Sequence, residues 1–481
     1  MIVSRKKEIE ALERVYGKKE KRFVVIYGRR RVGKTYLVDM VFKDRFTFRH
    51  SGIQINEDKE KSDKEKTQEQ LNAFYSSLIF YDPSISKQPK DWFEAFRLLY
   101  NLILKNKDKK KLIFIDEIAW MDTNNGNFLE AFSQFYNQWL SSDMNVLLVV
   151  CASATTWILK NILHSTGGMY NRAALTIKLE PFTLNECQKY AENNELYVDK
   201  ETIIKYYMIL GGIPYYWDKL IPNLSFEQNI DQLFFKKDAS LKNEFNYLYR
   251  SMFANYKGYI KIVEILSKKK EGLTREEIAQ KLKVTYNGNI SEKLNNLELC
   301  GIIRKYKPFG KKNQNVVYKL IDSFTLFYYE FIKDEPEDEN FFMNLIDSSK
   351  KNNWEGRAFE QVVFKNIDSI KKALGISGVS TDTSSFRCKE DIEKGIKGHQ
   401  IDLVISRKDK ITHLCEIKFS NRPFVMDKKT YDNYINRGPD FLAVTKAKTV
   451  IIPVLISPKG IFKNQYASYF PIVIDENDLF Y

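Results

Sequence analysis

The sequence predicts an α/β chain of several domains, the first of them built on a parallel sheet. Three observations carry this. The chain has 481 residues, too many for one compact core at roughly 100–200 residues per domain. The apolar runs 23–27, 111–115 and Val146–Ala152 are short and continuous, as expected of strands buried on both faces. Helical periodicity at Lys34–Phe42, 91–106 and about 127–141 alternates with them, the pattern of a parallel sheet.

Composition narrows the class. Apolar and charged fractions of 43% and 29% are those of a globular protein. The first residues are charged and amphipathic, without an apolar core of signal-peptide length. No run approaches a membrane span of about 18 apolar residues. The five cysteines are scattered and form no CxxC, which argues against a disulfide framework or zinc ribbon. A cytoplasmic, membrane-free protein is expected. The net charge of +14 suits nucleic acid or another anionic partner.

The first strand runs into Gly28-Arg29-Arg30-Arg31-Val32-Gly33-Lys34-Thr35, which satisfies GxxxxGK[ST] between a strand and a helix. Such a P-loop wraps nucleotide phosphates with inward N–H groups. Lys34 is expected on the β- and γ-phosphates of ATP, and the Thr35 hydroxyl on Mg²⁺. All eight residues of the loop are candidate nucleotide contacts; one of Arg29, Arg30 and Arg31 could approach phosphate, although their place at the loop tip favours solvent. The run 112–115 ends in Asp116-Glu117, the second half of such a site. Asp116 would hold Mg²⁺ through its water shell, and Glu117 would polarise the attacking water as general base. Ser153, after the run Val146–Ala152, is a candidate contact to the γ-phosphate or that water. Arg172 is a candidate arginine finger, in cis or across the interface of a homo-oligomer. All four histidines lack ligand spacing and read as structural.

The chain divides at compositional shifts into 1–182, 183–253, 254–333, an acidic proline-containing linker at 334–353, and 354–481. Residues 257–320 hold 15 Lys/Arg against 6 Asp/Glu, a surplus of nine in about an eighth of the chain. Three helices are expected there, at 260–267, 274–281 and about 289–299, with Thr274 and Glu277 as a capping box for the second. Two strands around Phe309-Gly310-Lys311-Lys312 complete a winged helix-turn-helix pattern. Its third helix would enter a DNA major groove, with Lys311 and Lys312 on phosphates.

Near the C-terminus, Asp402 and Glu416 stand on two strands of one hairpin, and Lys418 shares the face of Glu416. Two carboxylates and a lysine on one face suit a Mg²⁺ ion that activates water beside a phosphodiester. Glu360, on a helix beginning at Trp354, would complete that metal site.

The first half resembles the archaeal-type AAA ATPases of the signal-transduction group of P-loop ATPases. The resemblance rests on Ser4-Arg5-Lys6-Lys7-Glu8, the P-loop, Asp116-Glu117-Ile118-Ala119-Trp120, Ala152-Ser153-Ala154-Thr155, Gly168-Met169-Tyr170-Asn171-Arg172, Glu180-Pro181-Phe182-Thr183 and Gly212-Ile213-Pro214. It implies that 183–253 is a helical lid whose Gly-Ile-Pro turn, with Pro214, senses nucleotide. It also implies that the loop around Val3–Arg5 packs near adenine, although an aliphatic residue stands where the family carries an aromatic. The C-terminal pattern resembles the PD-(D/E)xK superfamily, with Gln400-Ile401 before Asp402 where the name has proline. This implies an α/β restriction-endonuclease-like domain. The expected function is an ATPase coupled to DNA binding, with metal-dependent cleavage in prospect. The alternative is a nucleotide-dependent switch or scaffold for protein partners, with a non-cutting C-terminal fold.

Overall fold

The structure is a computed structural model that describes residues 5–55, 61–164, 167–253, 255–284, 288–306, 309, 316–393 and 396–481. The chain divides into two compact units: Met1–Pro181 with Tyr247–Tyr256, and Phe182–Asn246 with Lys257–Tyr481.

The first unit is a five-stranded parallel sheet of β1 (Arg22–Tyr27), β2 (Phe48–Ser51), β3 (Lys111–Asp116), β4 (Val146–Ala152) and β5 (Leu175–Lys178). The spatial order is β2-β3-β4-β1-β5. β4 therefore lies between β1, which leads into the P-loop, and β3, which ends in the carboxylate pair. The middle strands are apolar because both faces are covered: all seven residues of β4 are buried. Phe74, Trp92, Phe96, Phe128 and Phe132, from the helices Asp63–Tyr81, Trp92–Lys105 and Phe128–Gln134, fill one side. β2 escapes a hydropathy reading because its sequence is Phe-Arg-His-Ser. Among the described residues it is an edge strand paired to β3, with His50 packed edge-on to Phe74.

The second unit contains two further sheets. β6 (Leu273–Thr274), β7 (Ile303–Tyr306) and β8 (Val317–Leu320) form a small antiparallel sheet in the order β6-β8-β7. Helices Tyr256–Ser267, Arg275–Leu282 and Gly288–Leu299 accompany it. Thr274 and Glu277 make the expected capping box, through hydrogen bonds of 3.2 and 2.7 Å. The second sheet has the order β13-β12-β11-β10-β9, from β9 (Thr381–Cys388), β10 (His399–Arg407), β11 (Ile411–Ile417), β12 (Val450–Ile456) and β13 (Ile472–Ile474). β9, β10 and β11 are antiparallel neighbours; β12 and β13 run parallel to β11.

Residues 334–353 are not a free linker. Phe342 is fully buried among Phe226, Phe327 and Phe331. The Asp231 carboxylate accepts from the backbone N–H groups of Phe342 (2.8 Å) and Met343 (3.1 Å). Acidic composition suggests solvent, but the Phe342 ring and the Asp231 carboxylate hold the segment. The following helix accordingly begins at Ser349, before the expected Trp354, with Ser348 as its N-cap.

Candidate functional site

The P-loop leaves the C-terminal end of β1. Gly28 has φ of +152°, and a Cβ there would lie 2.3 Å from the Leu179 carbonyl oxygen, so only glycine fits. Lys34 and Thr35 open the helix Lys34–Phe42. The Lys34 ammonium donates to the carbonyls of Gly28 (3.0 Å) and Arg29 (3.2 Å) and to Ser153 Oγ (2.9 Å). Ser153 in turn holds both Glu117 oxygens, by its hydroxyl at 2.5 Å and its backbone N–H at 3.0 Å. Glu117 sits at φ +45°, in the left-handed region. That conformation is costly for a residue with a Cβ and is common at functional sites. Lys34, Ser153 and Glu117, from three parts of the sequence, thus form one hydrogen-bonded relay.

Beside it, Thr35 Oγ1 donates to Asp116 Oδ2 at 2.6 Å, and the Glu117 N–H donates to Asp116 Oδ1 at 2.9 Å. Burial, with the Glu117 charge adding to it, raises the Asp116 pKa. Among the described residues no three His, Cys, Asp or Glu side chains are arranged to hold a metal ion. One carboxylate and one hydroxyl are nonetheless a fitting donor set for Mg²⁺ when phosphate oxygens and water supply the rest.

One expectation changes here. Arg29 is buried, and Arg30 and Arg31 are half-buried. The loop folds back on the sheet, so its arginines do not stand out in solvent. Arg172 lies away from the P-loop of its own chain. The Ala174 N–H bonds the Phe23 carbonyl, and Leu175 pairs with Val24. Arg172 is therefore at the N-terminal end of β5, where its charge lowers the pKa of Lys21, second to burial. The P-loop is at the other end of β1, roughly 17 Å away at about 3.3 Å per residue. Val3, expected near adenine, and Lys311 and Lys312, expected on DNA phosphates, lie outside the described residues. Arg5 is described, and its guanidinium donates to the Glu180 carbonyl at 2.6 Å. Pro214 is the first residue of a helix, Pro214–Trp217, in the second unit. A Cβ on Gly212 would lie 1.8 Å from the Phe182 carbonyl oxygen, so the turn before that helix is pressed against the backbone.

In the second unit, β10 and β11 pair Leu403 with Cys415, which sets Asp402 opposite Glu416. Asp402 Oδ2 accepts from the Ile417 N–H at 3.2 Å. Glu416 is buried and held by three donors: the Lys418 ammonium at 2.8 Å, the Tyr434 hydroxyl at 2.7 Å and the Arg437 guanidinium. The guanidinium stacks 3.7 Å over the Tyr434 ring. Burial alone would raise the Glu416 pKa, but the charges of Lys418 and Arg437 outweigh it and hold it below the usual value. Asp402 has no such clamp; burial and the Glu416 charge push it up to about 6. Glu360, on the helix Ser349–Lys365, is raised to about 7 by burial and then by Asp402. The three carboxylates expected together do share a field. Glu416, however, already has its oxygens engaged by cations, and no three-ligand metal group is formed among the described residues.

Three participants had no sequence signal. Tyr434 and Arg437 belong to no motif and reach Glu416 only through the fold of the segment after β11. Lys319 comes from β8 of the small sheet; burial lowers its pKa, opposed by the charges of Glu360 and Asp402. Of the histidines, His50 contacts Ser77 Oγ at 2.9 Å, and His399 contacts Asp440 at 2.6 Å.

Comparison with known proteins is consistent with the first site. Residues 2–220 match a family described as an ATPase domain predominantly from Archaea. The similarity is thus to an archaeal-type ATPase domain, and it covers the P-loop and the carboxylate pair; residues 221–481 lie outside it. An uncharacterized protein of Methanocaldococcus jannaschii is 24% identical over 436 residues, 90% of each chain. An uncharacterized ATP-binding protein of the same organism is 42% identical over 45 residues, 9% of this chain and 76% of its own. Among solved structures, the Walker-type ATPase of Pyrococcus abyssi is similar at 17% identity, covering 69% of this chain and 96% of that one, with a TM-score of 0.46. The ORC2 protein of Aeropyrum pernix is similar at 11% identity over 73% of this chain and 95% of its own, with a TM-score of 0.40. No helix of the described residues is long and apolar enough to cross a membrane.

Proposed function

We propose that this chain binds and hydrolyses ATP and couples its nucleotide state to DNA. The observation that carries the hydrolytic part is the Lys34–Ser153–Glu117 relay beside the Thr35–Asp116 contact. Lys34 would leave its carbonyl and hydroxyl partners for the β- and γ-phosphates. Thr35 and Asp116 would hold Mg²⁺, which neutralises phosphate charge when bound. Ser153 would then contact the γ-phosphate and release Glu117 to accept a proton from the attacking water. Pro214 belongs to the turn that would report nucleotide state to the lid. Arg172, remote from its own P-loop, would serve a neighbouring copy in a homo-oligomer.

The DNA part is supported by the charge surplus of 257–320 and by its three helices and hairpin, which have the composition of a winged helix-turn-helix. Steady-state ATP turnover with and without double- and single-stranded DNA tests the reading, with Lys34→Ala as the blank. Turnover indifferent to DNA would remove the coupling and leave the switch reading in its place.

For the C-terminal sheet two readings are carried. In the first, Asp402, Glu416 and Glu360 hold Mg²⁺, and Lys418 stabilises charge at a cut phosphodiester. In the second, the fold binds without cutting. The cationic clamp on Glu416 favours the second reading, because a carboxylate satisfied by Lys418 and Arg437 has to give them up before it can take a metal. Mg²⁺- or Mn²⁺-dependent cleavage of plasmid and single-stranded DNA, lost in Asp402→Ala, would restore the first.

A further inference from the structure

The β7–β8 hairpin does not stand free of the C-terminal sheet. Phe309, from its loop, inserts into the apolar cluster of Phe386, Ile401, Val404, Leu414 and Phe441, with its ring 4.8 Å from that of Phe441. Tyr306 packs edge-on to Phe364 at 5.4 Å, and the Arg304 guanidinium donates to the Phe364 carbonyl at 3.2 Å. Between hairpin and sheet is a cleft of about 1540 Å³. That exceeds the roughly 300–1,000 Å³ of a small-molecule pocket, so a polymer segment is the fitting occupant.

At the mouth of this cleft cations outnumber the exposed acids Glu271 and Asp334. The mouth carries Lys268, Lys269, Lys270, Arg387 and Lys389, all exposed. An Arg387–Glu271 ion pair at 3.6 Å joins the two rims. Deeper in, Glu360 and Asp402 line the same cleft, with Lys319 of β8 beside them. Gln361 Oε1, also lining it, is buried without a hydrogen-bond partner among the described residues.

We propose that this cleft takes a single strand of DNA, its phosphates on the lysine- and arginine-lined mouth and its unpaired bases turned inward to Glu360, Asp402 and Gln361. The proposal rests on the reading of a DNA-coupled ATPase and adds the site and the form of the DNA. Electrostatics decides the orientation: the inner carboxylates repel phosphate, and the mouth attracts it. Carboxylates accept from exocyclic amino groups, such as cytosine N4. A duplex keeps its bases stacked and their edges recessed between two phosphate backbones, so it would bring phosphate against the inner carboxylates before any amino group could reach them. Tyr329, half-exposed on the wall, offers a ring on which a base can stack.

The test is fluorescence anisotropy of the full chain with labelled single strands and duplexes of one length, over a salt series. Single strands are expected to bind at least tenfold tighter than duplex, and oligo-dC tighter than oligo-dT. The double variant Lys269→Glu/Lys270→Glu should weaken single-strand binding at least tenfold. It should also flatten the salt slope by about 1.4, at ~0.7 per phosphate contact. Asp402→Leu, which removes one of the inner acceptors, should reduce the preference for oligo-dC, a change that a merely structural role would not produce. Thermal unfolding of each variant identifies any that has lost its fold. Equal affinity for single strand and duplex, or indifference to the lysine changes in a folded variant, overturns the proposal. If duplex binds and stimulates ATP turnover while single strands do not bind, the cleft proposal falls alone. If neither form binds or stimulates, the DNA-coupled reading falls with it.

Discussion

Two strands of this chain end at carboxylates with a lysine close by, and the two sets are held differently. At the end of β3, Glu117 is held by a serine hydroxyl and a serine N–H, both neutral. On β11, Glu416 is held by a lysine, an arginine and a tyrosine hydroxyl. A hydrogen bond to a carboxylate contributes about 1.5–3 kcal/mol net at either site, but Glu416 has in addition the attraction of the Lys418 and Arg437 charges. In the proposed function Glu117 would exchange its partners for a water when a phosphate takes Ser153 and Lys34. Glu416 is fixed as an anion inside a buried ion cluster. The first arrangement suits a group that must change partners in each turnover. The second suits a group that positions its neighbours. Asp402, by contrast, is buried beside that locked anion and bonded to the Ile417 N–H rather than clamped by cations, and its pKa is raised.

The largest effect should come from removing the mobile member. Glu117→Gln should bind ATP as the parent does but hydrolyse it about 10²–10⁴-fold more slowly, the span of general-base catalysis. Single-turnover hydrolysis beside a binding isotherm measures this, and a tenfold or smaller loss would mean that Glu117 is not the base. Next is Arg437→Leu, which strips one cation from buried Glu416. Breaking a buried pair on one side costs about 3–5 kcal/mol, read by urea unfolding; a cost under 1 kcal/mol would show that the clamp is not what holds Glu416.

The units should also respond to pH with opposite signs. His50 is buried, which lowers its pKa to about 4. Below pH ~6.5 the unfolded chain takes a proton that the fold refuses, so stability is full above 6.5 and falls by about 3 kcal/mol toward pH 4. Glu360 and Asp402 are raised to about 7 and 6. Their contribution is favourable below pH ~4 and is lost as pH rises through 6 to 7. In unfolding midpoints against pH, the acid-side decline should shrink in His50→Gln and the alkaline-side decline in Asp402→Asn, where Glu360 keeps its own share. Profiles parallel to the parent would reject both assignments. The smallest effect is expected of Ser153→Ala. It removes one hydroxyl from the relay, and turnover should fall about tenfold, equivalent to roughly 1.4 kcal/mol. Unchanged turnover would take Ser153 out of the mechanism.

Much of the first site could be read from the chain, because a P-loop is local. Eight consecutive residues carry it, and the flanking strand and helix declare themselves by hydropathy. Asp116-Glu117 was legible for the same reason, ending an apolar run. Elsewhere local composition misled. β2 carries an arginine and a histidine, which an edge strand with one buried face tolerates. Residues 334–353 look solvated in composition, yet Phe342 has no exposed surface. The loop-tip arginines were assigned to solvent by their chemistry, and the fold buries Arg29.

The sequence by itself determined the phosphate-binding loop, its carboxylate partner and the hairpin that sets Asp402 opposite Glu416. Each of these depends on backbone geometry over a few neighbouring residues. Only the tertiary structure decided which charges meet. Ser153 reaches Lys34 across 119 residues and Glu117 across 36, and Arg437 reaches Glu416 across 21. Lys319 is brought to Glu360 and Asp402 because Phe309 seats its hairpin on the C-terminal sheet. A charge's partner is set by through-space distance and burial, and neither is written in the spacing of residues along the chain.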